Sequence, residues 1–303
     1  MLTEQQICGV YVPVVTPFNA AGEIDLDSYQ RYVKNILNNS IQGLVVNGTT
    51  GESPTVNINE LQLLVNASRE LLKSSTIPLI VGTGTNDTRS TVARTELAAN
   101  LGADAVLVVV PYYSRPSQEG IIAHFRKAAE VGIPVMAYDI PGRTGIGMTV
   151  DTARTILEMN NVVGLKDCSG SPTLVTELTH YGSKPVLCGD DIHFLDMLGH
   201  GAAGGMLASA NVQPAEFIQI YKYFTSGQLD LAKETFDNLI PLIRLLFKES
   251  NPAPIKWLLS ENGEIASDTL RLPLTSISQS LQEELKLHLQ KDSLNLQSLK
   301  KIG

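Results

Sequence analysis

The sequence predicts a (β/α)8 barrel, an α/β fold of the TIM-barrel class, followed by a C-terminal helical extension. Three observations predict it. Short apolar, β-branched runs alternate with helix-length segments along most of the 303 residues. There are eight such runs, spaced at roughly 20–30 residues, as strands of repeated βα units are. Each run is continuously apolar rather than alternating, the signature of parallel strands covered on both faces. Eight units in this length fit a closed barrel better than a doubly wound sheet. No GxGxxG follows the first run, and Gly82-Thr83-Gly84-Thr85 is too short and lies in the third unit.

The expected strands cover residues 10–15, 43–46, 78–81, 105–110, 134–138, 162–165, 185–187 and 204–207. Between them the spacing is helical; Leu61, Leu64, Val65, Ser68, Leu71 and Leu72, for example, share one face. Three further helices are expected after the eighth unit. The first spans 229–249, with Pro241 expected to kink it; the second spans 254–260 and holds the single tryptophan, Trp257; the third spans 276–290, with Leu281, Leu285 and Leu289 four apart. No linker composition intervenes. Residues 1–225 are therefore read as the barrel, 226–290 as a helical extension packed on it, and 291–303 as a polar, frayed end.

Composition narrows the function classes. With 43% hydrophobic residues the chain can bury a large core, and its net charge is −8 with no block of lysine or arginine. No nucleic-acid or membrane partner is expected, so an anionic substrate must find its positive charge inside a site. No run approaches a membrane span, and the opening MLTEQQICGV has neither a cationic n-region nor a long apolar core. Cys8, Cys168 and Cys188 are odd in number and lack metal-like spacing. A cytoplasmic protein is expected.

In this fold the active site lies beyond the C-terminal ends of the strands. The residues there are Thr16-Pro17-Phe18, Asn47-Gly48-Thr49-Thr50-Gly51-Glu52, Pro111-Tyr112-Tyr113, Tyr138 through the turn Pro141-Gly142-Arg143-Thr144-Gly145, Lys166, Gly189-Asp190-Asp191 and Ala208-Ser209-Ala210-Asn211. Hydroxyls, tyrosines, one lysine and one arginine thus converge on one rim. Lys166 follows Val-Val-Gly-Leu, and an amine held among apolar groups at a sheet rim is partly stripped of water, the setting of a Schiff-base lysine. Alone it would be read as a surface lysine; Tyr138 and Arg143 on the preceding strand end change that reading. The Gly48–Gly51 turn offers hydroxyls and backbone N–H groups suited to a small carboxylate, or simply a helix cap. Arg143 offers bidentate carboxylate binding, or a structural ion pair. Five scattered histidines form no HxH or HExxH pattern and there is no GxSxG elbow, so neither a metal site nor a serine hydrolase is expected. What remains is amine chemistry, a lysine nucleophile with a tyrosine to move protons.

Several motifs in one order carry a family resemblance: GTTGES at 48–53, PYYSRPSQEG at 111–120, YDIPGRTG at 138–145, GLKD at 164–167, GDD at 189–191, NPAPIKW at 251–257 and RLPL at 271–274. The chain resembles the dihydrodipicolinate synthase and N-acetylneuraminate lyase superfamily of lysine-dependent pyruvate aldolases, most of all its dihydrodipicolinate synthase branch. The resemblance implies that Lys166 forms a Schiff base with pyruvate, Tyr138 donates and accepts protons, and Thr49 and Tyr113 complete a relay, with Tyr113 reaching a neighbouring subunit's site. It implies that Thr50 holds the pyruvate carboxylate, aided by backbone near Met206 and Gly189, and that Arg143 binds the carboxylate of aspartate semialdehyde. It further implies a homotetramer built from dimers, and no cofactor. Two departures matter. Asp139 stands where the family motif has asparagine, an added negative charge expected beside the site. At the family's lysine-feedback positions this chain has Ile58, Leu61 and Ser90, although Asn86 and Tyr112 remain, so feedback by L-lysine is expected to be weak or absent. The rival readings are an aldolase for 2-keto-3-deoxy sugar acids or N-acetylneuraminate, which Asp139 favours and Arg143 opposes, and a catalytically idle barrel that only binds ligands.

Overall fold

In the computed structural model eight parallel strands close into a barrel in sequence order. They are β1 (Gly9–Pro13), β2 (Gly43–Val46), β3 (Leu79–Gly82), β4 (Ala105–Val109), β5 (Val135–Asp139), β6 (Val162–Asp167), β7 (Val186–Cys188) and β8 (Gly204–Met206). The structure describes residues 1–299, with side chains through Gln290; the expectation of a frayed 291–303 falls beyond the described side chains. Almost every strand residue is buried, because helices cover the outer face and side chains fill the inside. Tyr11, Val45, Ile80, Leu107, Met136, Leu187 and Met206 form the interior core, and a larger apolar shell lies between strands and helices.

The helices are α1 (Leu26–Leu37), α2 (Ile58–Leu71), α3 (Thr88–Asn100), α4 (Gln118–Ala129), α5 (Pro141–Thr144), α6 (Val150–Leu157), α7 (Thr173–His180), α8 (Phe194–Gly199), α9 (Pro214–Thr225), α10 (Leu229–Leu246), α11 (Ala253–Glu261) and α12 (Gln279–Leu299). Polar side chains start five of them: Asp25 caps α1, Asn57 and Glu60 form a capping box on α2, and Asp87, Ser117 and Thr149 cap α3, α4 and α6. The helix α10 continues through Pro241, which lies inside it. Among the described residues no helix is long and apolar enough to cross a membrane.

One irregularity positions the chemistry. Val135 pairs with Val162, but Met136 pairs with Gly164, so β6 carries one extra residue against β5. A strand alternates faces with period two, and one inserted residue reverses the phase beyond it. Without the insertion Lys166 would point toward the helices. With it, Lys166 pairs with Tyr138 on the inner face and Asp167 pairs with Asp139 on the outer one.

Candidate active site

Lys166 and Tyr138 are neighbours across β5 and β6 at the top of the barrel, both buried. The Lys166 ammonium lies 4.4 Å from the centre of the Tyr138 ring and, among the described residues, makes no hydrogen bond or ion pair. Burial pushes the Tyr138 phenol well above its ordinary value, with Cys168 adding to the rise and Thr49 and Arg143 opposing it. The Cys168 thiol approaches the Tyr138 hydroxyl at 3.8 Å and is itself pushed up to about 12 by burial, so it stays a thiol. Gly189 leaves room for the lysine stem: a Cβ there would collide with Cys168 Sγ and come within 2.6 Å of Lys166 Cε. Met206 closes the interior beneath, buried at the end of β8.

The Asn47–Glu52 turn follows β2 and has a left-handed residue at each end, Asn47 at φ 57° and Glu52 at φ 55°. Such backbone is strained for non-glycine residues and persists where surroundings fix it. Asn47 is fixed by donating to the Gly82 carbonyl at 2.7 Å, and Thr16 donates to the Gly51 carbonyl at 2.8 Å. Glu52 is fully buried and accepts from the ammonium of Lys256 at 2.7 Å and from the Arg271 backbone N–H at 3.1 Å. The turn thereby holds Thr49 half-exposed and Thr50 buried, and the Thr50 hydroxyl accepts from Asn251 Nδ2 at 3.1 Å.

A cleft of about 310 Å³ opens above the ends of β2 to β5, lined by Thr49, Ser53, Arg94, Tyr112 and Arg143 among others. A smaller space of about 30 Å³ below it, which Thr49 also lines, reaches Asn47 and Tyr138. Arg143 sits on α5 and donates to the Asn251 carbonyl at 3.3 Å. Its loop is tied down by the tyrosine-rich segment after β4: Arg115 donates to the Gly145 carbonyl at 2.8 Å and Gln118 to the Gly147 carbonyl at 2.9 Å. Tyr112 lines the cleft, but Tyr113 does not; it is 89% exposed, at φ 70°.

A model of the dihydrodipicolinate synthetase family matches residues 6–292. The chain belongs to that family. It is 36% identical over 285 residues to the 4-hydroxy-tetrahydrodipicolinate synthase of Syntrophobacter fumaroxidans, covering 93% of this chain and 97% of the relative. It is 39% identical over 290 residues to the enzyme of the same name from a Sulfurihydrogenibium species, covering 94% and 98%. Among solved structures, the 4-hydroxy-tetrahydrodipicolinate synthase of Methylacidiphilum fumariolicum SolV superposes with a TM-score of 0.92 at 35% identity, over 97% of this chain and 99% of the other.

Within this family member, one expectation needs correction. Asp139 does not face the site: it lies on the outer face of β5, fully buried, where both its oxygens accept the Met148 N–H at 3.3 Å. Burial, with Asp167 alongside, pushes it up to about 7. Sequence reasoning also missed Asn251, Glu52 and Lys256. A lysine inside Pro-Ala-Pro-Ile-Lys-Trp-Leu-Leu, with apolar residues on both sides, was a legible signal of a buried charge seeking a partner.

Proposed function

We propose that this protein is a Schiff-base-forming lyase that condenses pyruvate with L-aspartate 4-semialdehyde to 4-hydroxy-tetrahydrodipicolinate. The observation that carries the reading is the inward pairing of Tyr138 with a buried Lys166 left without a hydrogen-bond partner among the described residues. An amine so placed can attack the pyruvate ketone; loss of water gives an iminium, and loss of a methyl proton an enamine. The enamine carbon adds to the aldehyde. The substrate's own amine then displaces lysine from the iminium carbon, closing the ring and freeing Lys166.

Each step moves a proton. Tyr138 is the group for this, with the Thr49 hydroxyl beside it and Tyr113 supplied by another subunit. A fully exposed tyrosine held in a left-handed conformation is of no use to its own cleft, which supports the exchange between subunits and the homotetramer the resemblance implies. Thr50, with backbone near Met206 and Gly189, takes the pyruvate carboxylate; Arg143, at the cleft wall, takes that of the semialdehyde. The outward placement of Asp139 removes the feature that favoured a sugar-acid aldolase. The division into a barrel over 1–225 and an extension over 226–290 is supported by α10 to α12, which follow no strand. We place the enzyme in the cytoplasm, supported by its net charge of −8 and its three free cysteines, which suit a reducing compartment.

The test is borohydride trapping with pyruvate, with mass spectrometry of the adduct, followed by a rate assay with aspartate semialdehyde. An adduct on Lys166 and turnover of the semialdehyde are expected. An adduct without turnover would move the substrate to a sugar acid, and no adduct from the folded protein would leave an idle barrel.

A further inference from the structure

The segment between α10 and α11 belongs to no strand, yet one residue in it touches both groups that the proposed function gives to carboxylate binding. Asn251 is buried; its Nδ2 donates to the Thr50 hydroxyl at 3.1 Å and its backbone carbonyl accepts from Arg143 Nη2 at 3.3 Å. The Asn251 Oδ1 is buried without a partner. An unpaired buried acceptor costs about what one hydrogen bond returns, so this side chain adds little to stability. Its single donated bond nevertheless has a chemical consequence. A threonine hydroxyl has one proton and two lone pairs. Once a lone pair is taken by the Asn251 amide, the Thr50 proton is left free to be donated, which is what a carboxylate acceptor requires.

Asn251 is also held where it is. Five residues on, Lys256 is fully buried and donates to the Thr16 carbonyl at 2.8 Å, Glu52 at 2.7 Å and the Thr269 carbonyl at 2.5 Å. Glu52 belongs to the same turn as Thr50, so the pair locks α11 and this turn together.

We propose that Asn251 is a positioning residue: its amide sets the Thr50 hydroxyl as a donor toward the pyruvate carboxylate, and its carbonyl aims Arg143 at the second substrate. The inference rests on the function proposed above.

The test separates the amide from the carbonyl. Asn251→Asp keeps the shape and the backbone carbonyl but replaces the donor with an acceptor, and Asn251→Ala removes the side chain. In both, the KM for pyruvate is expected to rise about tenfold or more, the worth of one directed hydrogen bond to a charged group. The KM for the semialdehyde and the unfolding midpoint of the alanine variant are expected to stay within about twofold and a few degrees. In a Thr50→Val background, where no hydroxyl remains to be directed, Asn251→Ala is expected to add nothing. If the aspartate variant does not fold, the alanine variant and its cycle with Thr50→Val decide. An unchanged pyruvate KM, or full additivity with Thr50→Val, overturns the assignment. Borohydride trapping of the parent protein with pyruvate is run alongside; a parent protein that forms no adduct overturns the proposed function and this inference with it.

Discussion

Two lysines are buried among the described residues of this protein, and they are treated in opposite ways. Lys256, wholly inaccessible, gives its ammonium to three acceptors including the Glu52 carboxylate, and stands over the Phe18 ring at 4.3 Å. Burial presses it below the ordinary lysine value while Glu52 pushes back. Lys166, 6% exposed, has an aromatic ring beside it and no hydrogen-bond partner among the described residues. An ammonium with three acceptors is a fastener, because removing its proton would break every bond it makes. A lysine nitrogen with none has no bond to break before it meets a carbonyl carbon. Burial alone does not separate the two lysines; the number of acceptors around the nitrogen does.

The comparison breaks most sharply on substitution of each lysine. Lys166→Ala is expected to lower the rate with pyruvate and aspartate semialdehyde by at least about a thousandfold, to abolish the trapped adduct, and to leave the urea midpoint unchanged or slightly raised. Lys256→Met should do the reverse in kind: it leaves Glu52 buried and unpaired, a loss of about 3–5 kcal/mol in urea unfolding. Changing Glu52→Gln in the same chain should recover much of that loss, since a neutral amide is left instead of a bare charge. A Lys166→Ala protein that unfolded as readily as Lys256→Met would overturn the distinction.

Asp139 extends the contrast to a buried acid. Its oxygens accept from the Met148 N–H, on the outer face beside Asp167, and it is pushed up to about 7 from an ordinary 3.8. Between these values the native state holds a proton that the unfolded chain has released, so stability falls as pH rises through the window and levels off above about 7. An asparagine in place of the aspartate keeps the acceptor for Met148 and removes the titration. Asp139→Asn is therefore expected to stabilise by about 4 kcal/mol at pH 8 and by almost nothing near pH 4. Urea midpoints at the two pH values check this; an equal shift at both would mean that the charge is not the cause.

The strands were legible in the sequence because a parallel strand buried on both faces must be apolar throughout, and β2 matches its expected residues while most others shift by one or two at their ends. Lys166 and Tyr138 were legible as polar residues at strand ends. Their facing direction was not, since the extra residue in β6 shows only when β5 is laid beside it, and without it both position and partner would be lost. The same blindness explains Asp139, which stands next to Tyr138 in sequence and on the opposite side of the sheet in space. Asn251 and Lys256 lie about two hundred residues from their partners Thr50 and Glu52, and no local pattern could join them.

The smallest effect is expected from L-lysine added to the assay, and the two buried lysines say why. Lys256 shows what an ammonium needs when it leaves water: a carboxylate and two carbonyl oxygens within hydrogen-bond reach. Free L-lysine carries two ammonium groups and one carboxylate, so a site for it needs acidic partners twice over. The cleft beside Arg143 supplies Arg94 as a second cation, and among the described residues no aspartate or glutamate lines it. At the family's feedback positions, Ile58 is exposed, Leu61 is buried in the core, and Ser90 is neutral, its backbone N–H bound to Asp87. Such a cleft suits anions and repels the effector's two ammonium groups. Millimolar L-lysine is expected to change the rate by less than about twofold, whereas introducing Ser90→Glu should give a weak, measurable inhibition by supplying one of the missing partners. Inhibition of the unaltered protein at sub-millimolar L-lysine would mean that acceptors for an ammonium are assembled elsewhere, between subunits, by groups that a single chain does not bring together.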